Sequence, residues 1–308
     1  MRGGAGLLRR ILCFMLEKAS WCKVNLLLNI LGKRADGFHE LETVMHPVSL
    51  CDRLTFERAG AGIQLSCSDP RLPVNSNNLV VQAASLFAKA AGLGLGDGVR
   101  IHLQKNIPVA AGLGGGSGNA AVTLLALNEL FGHPLPLARL EELAAALGSD
   151  IPFFLQSGPA LATGRGEIIQ PLSGFPAMRG VCFVLVHPGF GISTPWAYQQ
   201  LAHFPAALHG SPGRARRLMA LLQVSLEAAA VEFYNSLEAP ALRKYPLLEM
   251  FREFFRENGA PAALMSGSGS AIFALTPARG DAETILEKFK VKFGPDFWTA
   301  VVPSQSES

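Results

Sequence analysis

Between Pro108 and Ala121 the chain reads PVAAGLGGGSGNAA, and the apolar segment AAVTLLALNEL continues from it. Gly112, Gly114, Gly115, Gly116 and Gly118 crowd around Ser117 and Asn119. Glycine tolerates positive φ and lets a ligand approach the main chain with no Cβ in the way. Where such a loop opens a helix, unpaired N–H groups and the helix dipole aim at one spot, which suits a phosphate. Ser117 or Asn119 is expected to cap that helix. A flexible linker would carry more Ser, Lys or Glu than the flanking IPVAAGLG and AAVTLLALN, so phosphate binding is favoured over a plain turn. The loop is not a P-loop, because no lysine lies between Asn106 and Asn119. Nor is it a dinucleotide fingerprint, since Gly112 and Gly114 are followed by Ser117. Any cation facing the phosphates must come from elsewhere in the chain.

Two charged residues stand in apolar surroundings. Lys23 interrupts WCKVNLLLNIL, and a lysine inside a strand this apolar needs a charge partner. Asp150 follows a helical segment and precedes Ile151-Pro152-Phe153-Phe154, where burial is expected. Taken singly, the first reads as a snorkelling lysine and the second as a turn aspartate. His39, Glu40, Glu42 and His46 do not make a zinc motif, because position 43 is Thr. Gly267-Ser268-Gly269 lies between two apolar runs, and a hairpin turn accounts for it. It gains interest only beside the first loop, because phosphoryl transfer needs donors on several sides of a spreading charge.

The elements that must position these residues follow from the whole chain. With 308 residues, 49% hydrophobic and 17% charged, it is long and apolar enough for a folded protein of two domains. A net charge of +3 is too mild to imply nucleic acid, and Arg214, Arg216 and Arg217 read as a solvated helix face. Cys13, Cys22, Cys51, Cys67 and Cys182 are odd in number and widely spaced, which points away from disulfides or zinc and toward a reducing cytoplasm. No apolar run reaches membrane-spanning length. Residues 1–18 read as an extension, with Met15 as an alternative start. Trp21–Leu31 and the run FHELETVMHPV make a hairpin about the turn 32–37. Leu54–Phe56 and Ile63–Ser66 are weaker strands, and Asn77 or Asn78 caps a helix that Gly92 ends. Val99–Leu103 is a strand, Leu137–Leu147 a helix, and a further hairpin folds about Gly164-Arg165-Gly166. Loop-like sequence at Pro171–Pro176 sets a boundary between domains 19–170 and 171–308. The second half has a strand VCFVLVHP, a mostly helical stretch to about Asn258, the glycine hairpin, a helix and the strand FWTAVVP. Strands and helices mix without βαβ alternation, an α+β pattern.

Three separated stretches resemble one family. PVAAGLGGGSGNAA is similar to the phosphate loop of the GHMP kinases, and KVNLLLNILGKRADGFHEL and LMSGSGSAIFAL resemble that family's first and third motifs. NLVVQAA, LGSDIPFF and HPGFGISTPWAY extend the likeness over about residues 19–275. The resemblance implies the α+β two-domain GHMP kinase architecture with its active site in the interdomain cleft. It implies ATP as phosphoryl donor, accompanied by Mg2+. The implied acceptor is the 2-hydroxyl of a methylerythritol that carries a cytidine diphosphate group, in non-mevalonate isoprenoid-precursor synthesis. Lys23 and Asp150 match the family's catalytic pair. Pro108, Val109, Ala110, Ala111, Gly112, Leu113, Gly114, Gly115, Gly116, Ser117 and Gly118 match its ATP loop, with Asn78 and Lys105 also at the nucleotide. His39 matches the reader of the cytosine edge, Phe38 and Tyr198 the rings that sandwich the base, and Asn25 and Thr194 the cleft lining. Gly267, Ser268 and Gly269 match the third motif; no metal ligand is assigned to a side chain. Neither nucleic acid nor membrane is implied as a partner, the location is cytoplasmic, and the oligomeric state stays open.

General chemistry fits these roles. Deprotonating an alcohol in line with a phosphoryl group calls for a carboxylate within hydrogen-bond reach, and an ammonium beside it favours the charged form. Without a Walker lysine, loop N–H groups and magnesium carry most of the phosphate charge. Three positions depart from the family pattern: Trp21-Cys22 stand where Pro-Ala is usual, Gly118 where a second Ser is usual, and Phe38 where Tyr is common. The other readings are a GHMP kinase with another acceptor, and a catalytically silent nucleotide-binding scaffold on the same fold.

Overall fold

The computed structural model describes residues 15–94 and 96–305. β1 (Met15–Lys33) and β2 (His39–Ala59) form the long hairpin that the two apolar runs predict, paired from Lys33 with His39 out to Met15 with Glu57. β3 (Ile63–Cys67), α1 (Leu79–Ala90), β4 (Gly98–Gln104), α2 (Gly115–Leu130), α3 (Leu137–Leu147) and the hairpin β5 (Ala160–Gly164) and β6 (Ile168–Pro171) follow. The second half adds β7 (Cys182–His187), α4 (Thr194–Gln200), α5 (Pro205–Leu208), α6 (Arg214–Leu221), α7 (Leu226–Ala229) and β8 (Tyr234–Asn235). Last come α8 (Glu238–Lys244), α9 (Pro246–Glu257), β9 (Ala262–Met265), β10 (Ile272–Thr276), α10 (Arg279–Phe293) and β11 (Trp298–Pro303).

One sheet runs β3-β4-β2-β1-β8, with β5 also paired to β2 and β6 to β5; the other is an antiparallel sheet β11-β7-β10-β9. Their facing sides share one core, in which Cys22, Val24, Leu26 and Val44 of the first meet Phe183, Leu185, Leu264 and Phe273 of the second. Each such side chain contributes about 1.5–3 kcal/mol by leaving water. A second layer packs Leu54 and Phe56 against α1, α2 and α3. A third core lies under α9 and α10, where Phe251, Phe255 and Phe289 are fully buried.

Several sequence readings are corrected here. Residues 15–18 are strand, not the end of an extension: Leu16 is buried beside Leu54, and Lys18 pairs with Glu129 at 2.6 Å. The reading of residues 1–14 lies outside the described residues. Leu54–Phe56 is no separate strand but the continuation of β2 beyond Pro47 and Val48. The register slips there, from Trp21 opposite Cys51 to Cys22 opposite Val48, and a bulge is where a strand tolerates proline. β3 pairs with β4, in parallel. Asn78, not Asn77, caps α1, accepting from the Val80 amide at 2.9 Å. Neither Ser117 nor Asn119 caps α2, which starts earlier, behind a left-handed Gly114. The helical stretch to Asn258 contains the two-residue strand β8, too short for any periodicity to show. The arginine cluster is not simply solvated: Arg214 and Arg217 both pair with Glu232, and the Arg214 guanidinium lies 4.1 Å from the Tyr234 ring centroid.

Candidate active site

Alternation along β1 turns Cys22, Val24 and Leu26 into the core between the sheets and Lys23 and Asn25 toward a cavity of about 270 Å³. Lys23 is 2% exposed, so its ammonium has to be fully provided for. It donates to Asn25 Oδ1 at 2.7 Å and to the Gly112 carbonyl at 3.0 Å, and its third direction faces Asp150 Oδ2 at 3.8 Å. Burial lowers the Lys23 pKa, and the Asp150 charge works against that shift. Asn25 is held in turn by donating to Thr43 Oγ1 at 2.9 Å.

Asp150 sits in the turn after α3. Burial was expected for it, but its side chain is 50% exposed, because Ile151, Pro152 and Phe153 take the buried places and leave the carboxylate facing the cavity. Cys22, one of the departures from the family pattern, is a core residue whose thiol burial pushes up to about 12, which leaves it inert.

The two glycine turns meet. The Ala271 amide donates to the Ala111 carbonyl at 3.0 Å, and Ser266 Oγ donates to the Gly112 carbonyl at 3.0 Å. Gly112, at φ +78, has the Ser266 carbonyl oxygen 2.0 Å from where a Cβ would lie. Gly114, at φ +73, would place a Cβ 2.5 Å from Phe154 and 3.1 Å from the Lys23 chain. Only glycine fits either position. Ala110 is left-handed too, at φ +56, a conformation costing a residue with a Cβ about 1–2 kcal/mol. The Asn235 amide pins the third motif by donating to the carbonyls of Met265 and Gly267, each at 2.7 Å.

Beyond the loop lies a second cavity, of about 330 Å³, lined by Asn78, Lys105, Pro108–Ser117 and Asn119. The amino end of α2 opens into it with no side-chain cap on its first N–H groups. Gly118 does not line it: its α-carbon faces Ser20, Trp21 and Phe154, so a side chain there would point into β1 and not into the cavity. Lys105 reaches the cavity wall while paired with Asp52, which is fully buried. Asp52 also accepts from the amides of Asn106 at 2.8 Å and Ile107 at 2.9 Å, and from Asn119 Nδ2 at 3.0 Å. Sequence reasoning passed over this carboxylate. Asp52 stands beside Arg53 and outside the strand read at Leu54–Phe56, so nothing local marked it.

On the other side a third cavity, of about 460 Å³, is lined by Phe38, His39, Asp150, Arg165, Thr194 and Tyr198, among others. The His39 and Tyr198 rings are 5.1 Å apart, and Phe38 is half exposed. Burial, helped by Lys33, lowers the His39 pKa and so favours the neutral imidazole; burial, with the Asp150 charge, raises that of Tyr198. Thr194 Oγ1 and Ser268 Oγ are hydrogen-bonded at 2.7 Å. Ala110, Gly112 and Gly114 line both the first and second cavities, while Asp150, Thr194 and Tyr198 line both the first and third. The three cavities therefore form one continuous row, with Lys23 and Asp150 in the middle.

Comparison with known proteins matches residues 78–158 to the GHMP kinases N terminal domain and residues 204–296 to the GHMP kinases C terminal domain. The 4-diphosphocytidyl-2-C-methyl-D-erythritol kinase of Synechococcus sp. (strain JA-3-3Ab) is 40% identical over 293 residues, covering 93% of this chain and 92% of its own. That of Syntrophus aciditrophicus (strain SB) is 42% identical over 279 residues, covering 89% of this chain and 95% of its own. A crystal structure of a 4-(cytidine 5'-diphospho)-2C-methyl-D-erythritol kinase superposes with a TM-score of 0.77 at 36% identity, over 94% of this chain and all (100%) of that one. The homoserine kinase of Cytophaga hutchinsonii shares the fold, with a TM-score of 0.74 at 19% identity over 94% of each chain.

Proposed function

The chain belongs to the GHMP kinase family, and on that premise we propose that it transfers the γ-phosphoryl group of ATP to the 2-hydroxyl of 4-diphosphocytidyl-2-C-methyl-D-erythritol, a step in non-mevalonate isoprenoid-precursor synthesis. It is a small-molecule kinase of the α+β two-domain GHMP architecture. The observation that carries the reading is the row of three cavities with Lys23 and Asp150, 3.8 Å apart, at its centre. A donor nucleotide on one side and a base-linked alcohol on the other would meet there.

In this reading Pro108–Gly116 and Ser117 wrap the triphosphate, with Asn78 and Lys105 at the nucleotide, and the uncapped amino end of α2 takes phosphate charge. Phe38 and Tyr198 flank the cytosine, His39 reads its edge, and Asn25 and Thr194 border the alcohol. The hydroxyl proton passes to Asp150 as the alcohol oxygen bonds to the γ-phosphorus and the bond to the bridging oxygen of ADP breaks. Lys23 holds the hydroxyl and offsets the growing charge. Gly267–Gly269 close the cleft from the C-terminal half, and in this reading the two halves divide near residues 170 and 171. Magnesium bound to a nucleotide needs only one or two protein oxygens. The Ser117 hydroxyl, which lines the nucleotide cavity, fits that need and would hold the ion. The ion would supply positive charge to the phosphates. No helix among the described residues is long and apolar enough to cross a membrane, and we place the enzyme in the cytoplasm.

Asp150→Asn is expected to bind ATP while turnover, read as ADP release with the cytidine-linked alcohol, falls about 10²–10⁴-fold. Near-normal turnover would remove Asp150 from the role of base. CDP should compete with the acceptor and unrelated sugar alcohols should not; equal competition would point to another acceptor.

A further inference from the structure

We propose that Arg165 binds the diphosphate of the acceptor, spanning the passage between the ring cavity and the transfer point. This inference rests on the cytidine-linked acceptor proposed above. Five residues line both of those cavities: Leu41, Asp150, Arg165, Thr194 and Tyr198. A molecule with its base by Phe38 and its alcohol by Lys23 must thread its linker among them. That linker is an anionic diphosphate, and it has to pass the Asp150 carboxylate. Arg165 is the one cation, among the described residues, that lines both cavities.

Its surroundings hold it ready for this. Arg165 stands at the tip of the β5–β6 hairpin, between left-handed Gly164 (φ +70) and Gly166 (φ +102), which turn the chain toward Asp150. Its amide donates to Glu167 Oε2 at 2.6 Å, fixing the turn from within. The guanidinium carbon lies 4.6 Å from the Phe38 ring centroid, so the planar group is pre-oriented against an aromatic face. Nε sits 3.5 Å from Glu167 Oε1, too far to exhaust a fork suited to two phosphate oxygens. Lys23 cannot serve instead, because it lines the first cavity and not the ring cavity. Arg34 is already engaged with Asp36 and Glu40.

The test compares inhibition by CDP and by cytidine, which share the base and differ in the diphosphate, for the wild-type enzyme, Arg165→Gln and Arg165→Lys. CDP should weaken about 10–100-fold in the glutamine variant, the scale of a charged hydrogen-bond pair, and less in the lysine variant. Cytidine should weaken far less than CDP in both. Equal weakening of the two inhibitors would mean that Arg165 acts only by stacking on Phe38, and unchanged CDP binding would mean that it does not act at all; either result overturns the proposal. If neither compound inhibits the wild-type enzyme, the acceptor reading fails first and takes this inference with it.

Discussion

At the scale of single residues, the site depends on buried charges whose partners are all present. Asp52 is the clearest case outside the transfer point. It satisfies Lys105, two successive amides at the start of the phosphate loop, and Asn119 on the helix behind that loop. Asp52→Ala would leave the Lys105 ammonium, with a side chain 7% exposed, without its counter-charge. Breaking one side of a buried pair costs about 3–5 kcal/mol. The expected result is that loss in urea unfolding, together with a raised KM for ATP because residues 105–107 lose their anchor. An unfolding free energy within about 1 kcal/mol of wild type would show that water replaces the carboxylate. Lys23 was legible in the sequence as a misplaced charge. Arg165 was not, because an arginine between two glycines in a hairpin turn looks like ordinary solvent-exposed sequence.

At the scale of elements, the close contact of α2 with β1 sets the height of the loop above Lys23. Gly118 is the contact point: a Cβ there would lie 2.8 Å from Ser20 Oγ and 3.2 Å from the Trp21 carbonyl oxygen. Ser20 Oγ is buried and has no hydrogen-bond partner among the described residues, so the hydroxyl occupies room that a side chain at 118 could use. Gly→Ala within a helix is ordinarily worth about 1 kcal/mol of stabilisation. Here overpacking should reverse the sign and cost about 1–3 kcal/mol. Ser20→Ala should relieve it, so a double-mutant cycle by urea unfolding is expected to show about 1 kcal/mol or more of favourable coupling. Strict additivity would mean that the helix simply moves away from the strand. The glycine at this position thus answers to helix–strand packing and not to the lining of the cavity beside the loop.

At the scale of the whole molecule, the two sheets are fastened near the end of the chain. His46 of β2 hydrogen-bonds to Ser304 through Nε2 at 2.7 Å, and Val48 bridges to Ser304. Burial holds the His46 pKa at about 4, against an ordinary 6.5. The unfolded chain therefore takes up a proton between about pH 6.5 and 4 that the folded one does not, and stability falls as pH falls through that window. The loss from this residue is at most about 3 kcal/mol. His187, also held low by burial, acts in the same direction. In a His46→Gln variant the slope of unfolding free energy against pH across this range should flatten. An unchanged slope would assign the acid sensitivity to other groups.

The amino-acid sequence by itself determined the α+β class, the long hairpin, the glycine loop and the out-of-place charge at Lys23, because each rests on local periodicity, glycine content or an apolar context. Only the tertiary structure decided which of these features meet. The continuation of β2 past Pro47, the zipper between the loops at Gly112 and Ser266, the outward turn of Asp150 and the anchoring of Lys105 by Asp52 all depend on contacts between residues far apart in the chain. Local pattern carries no record of such contacts: their energies arise from burial and pairing that exist only once distant segments are packed together.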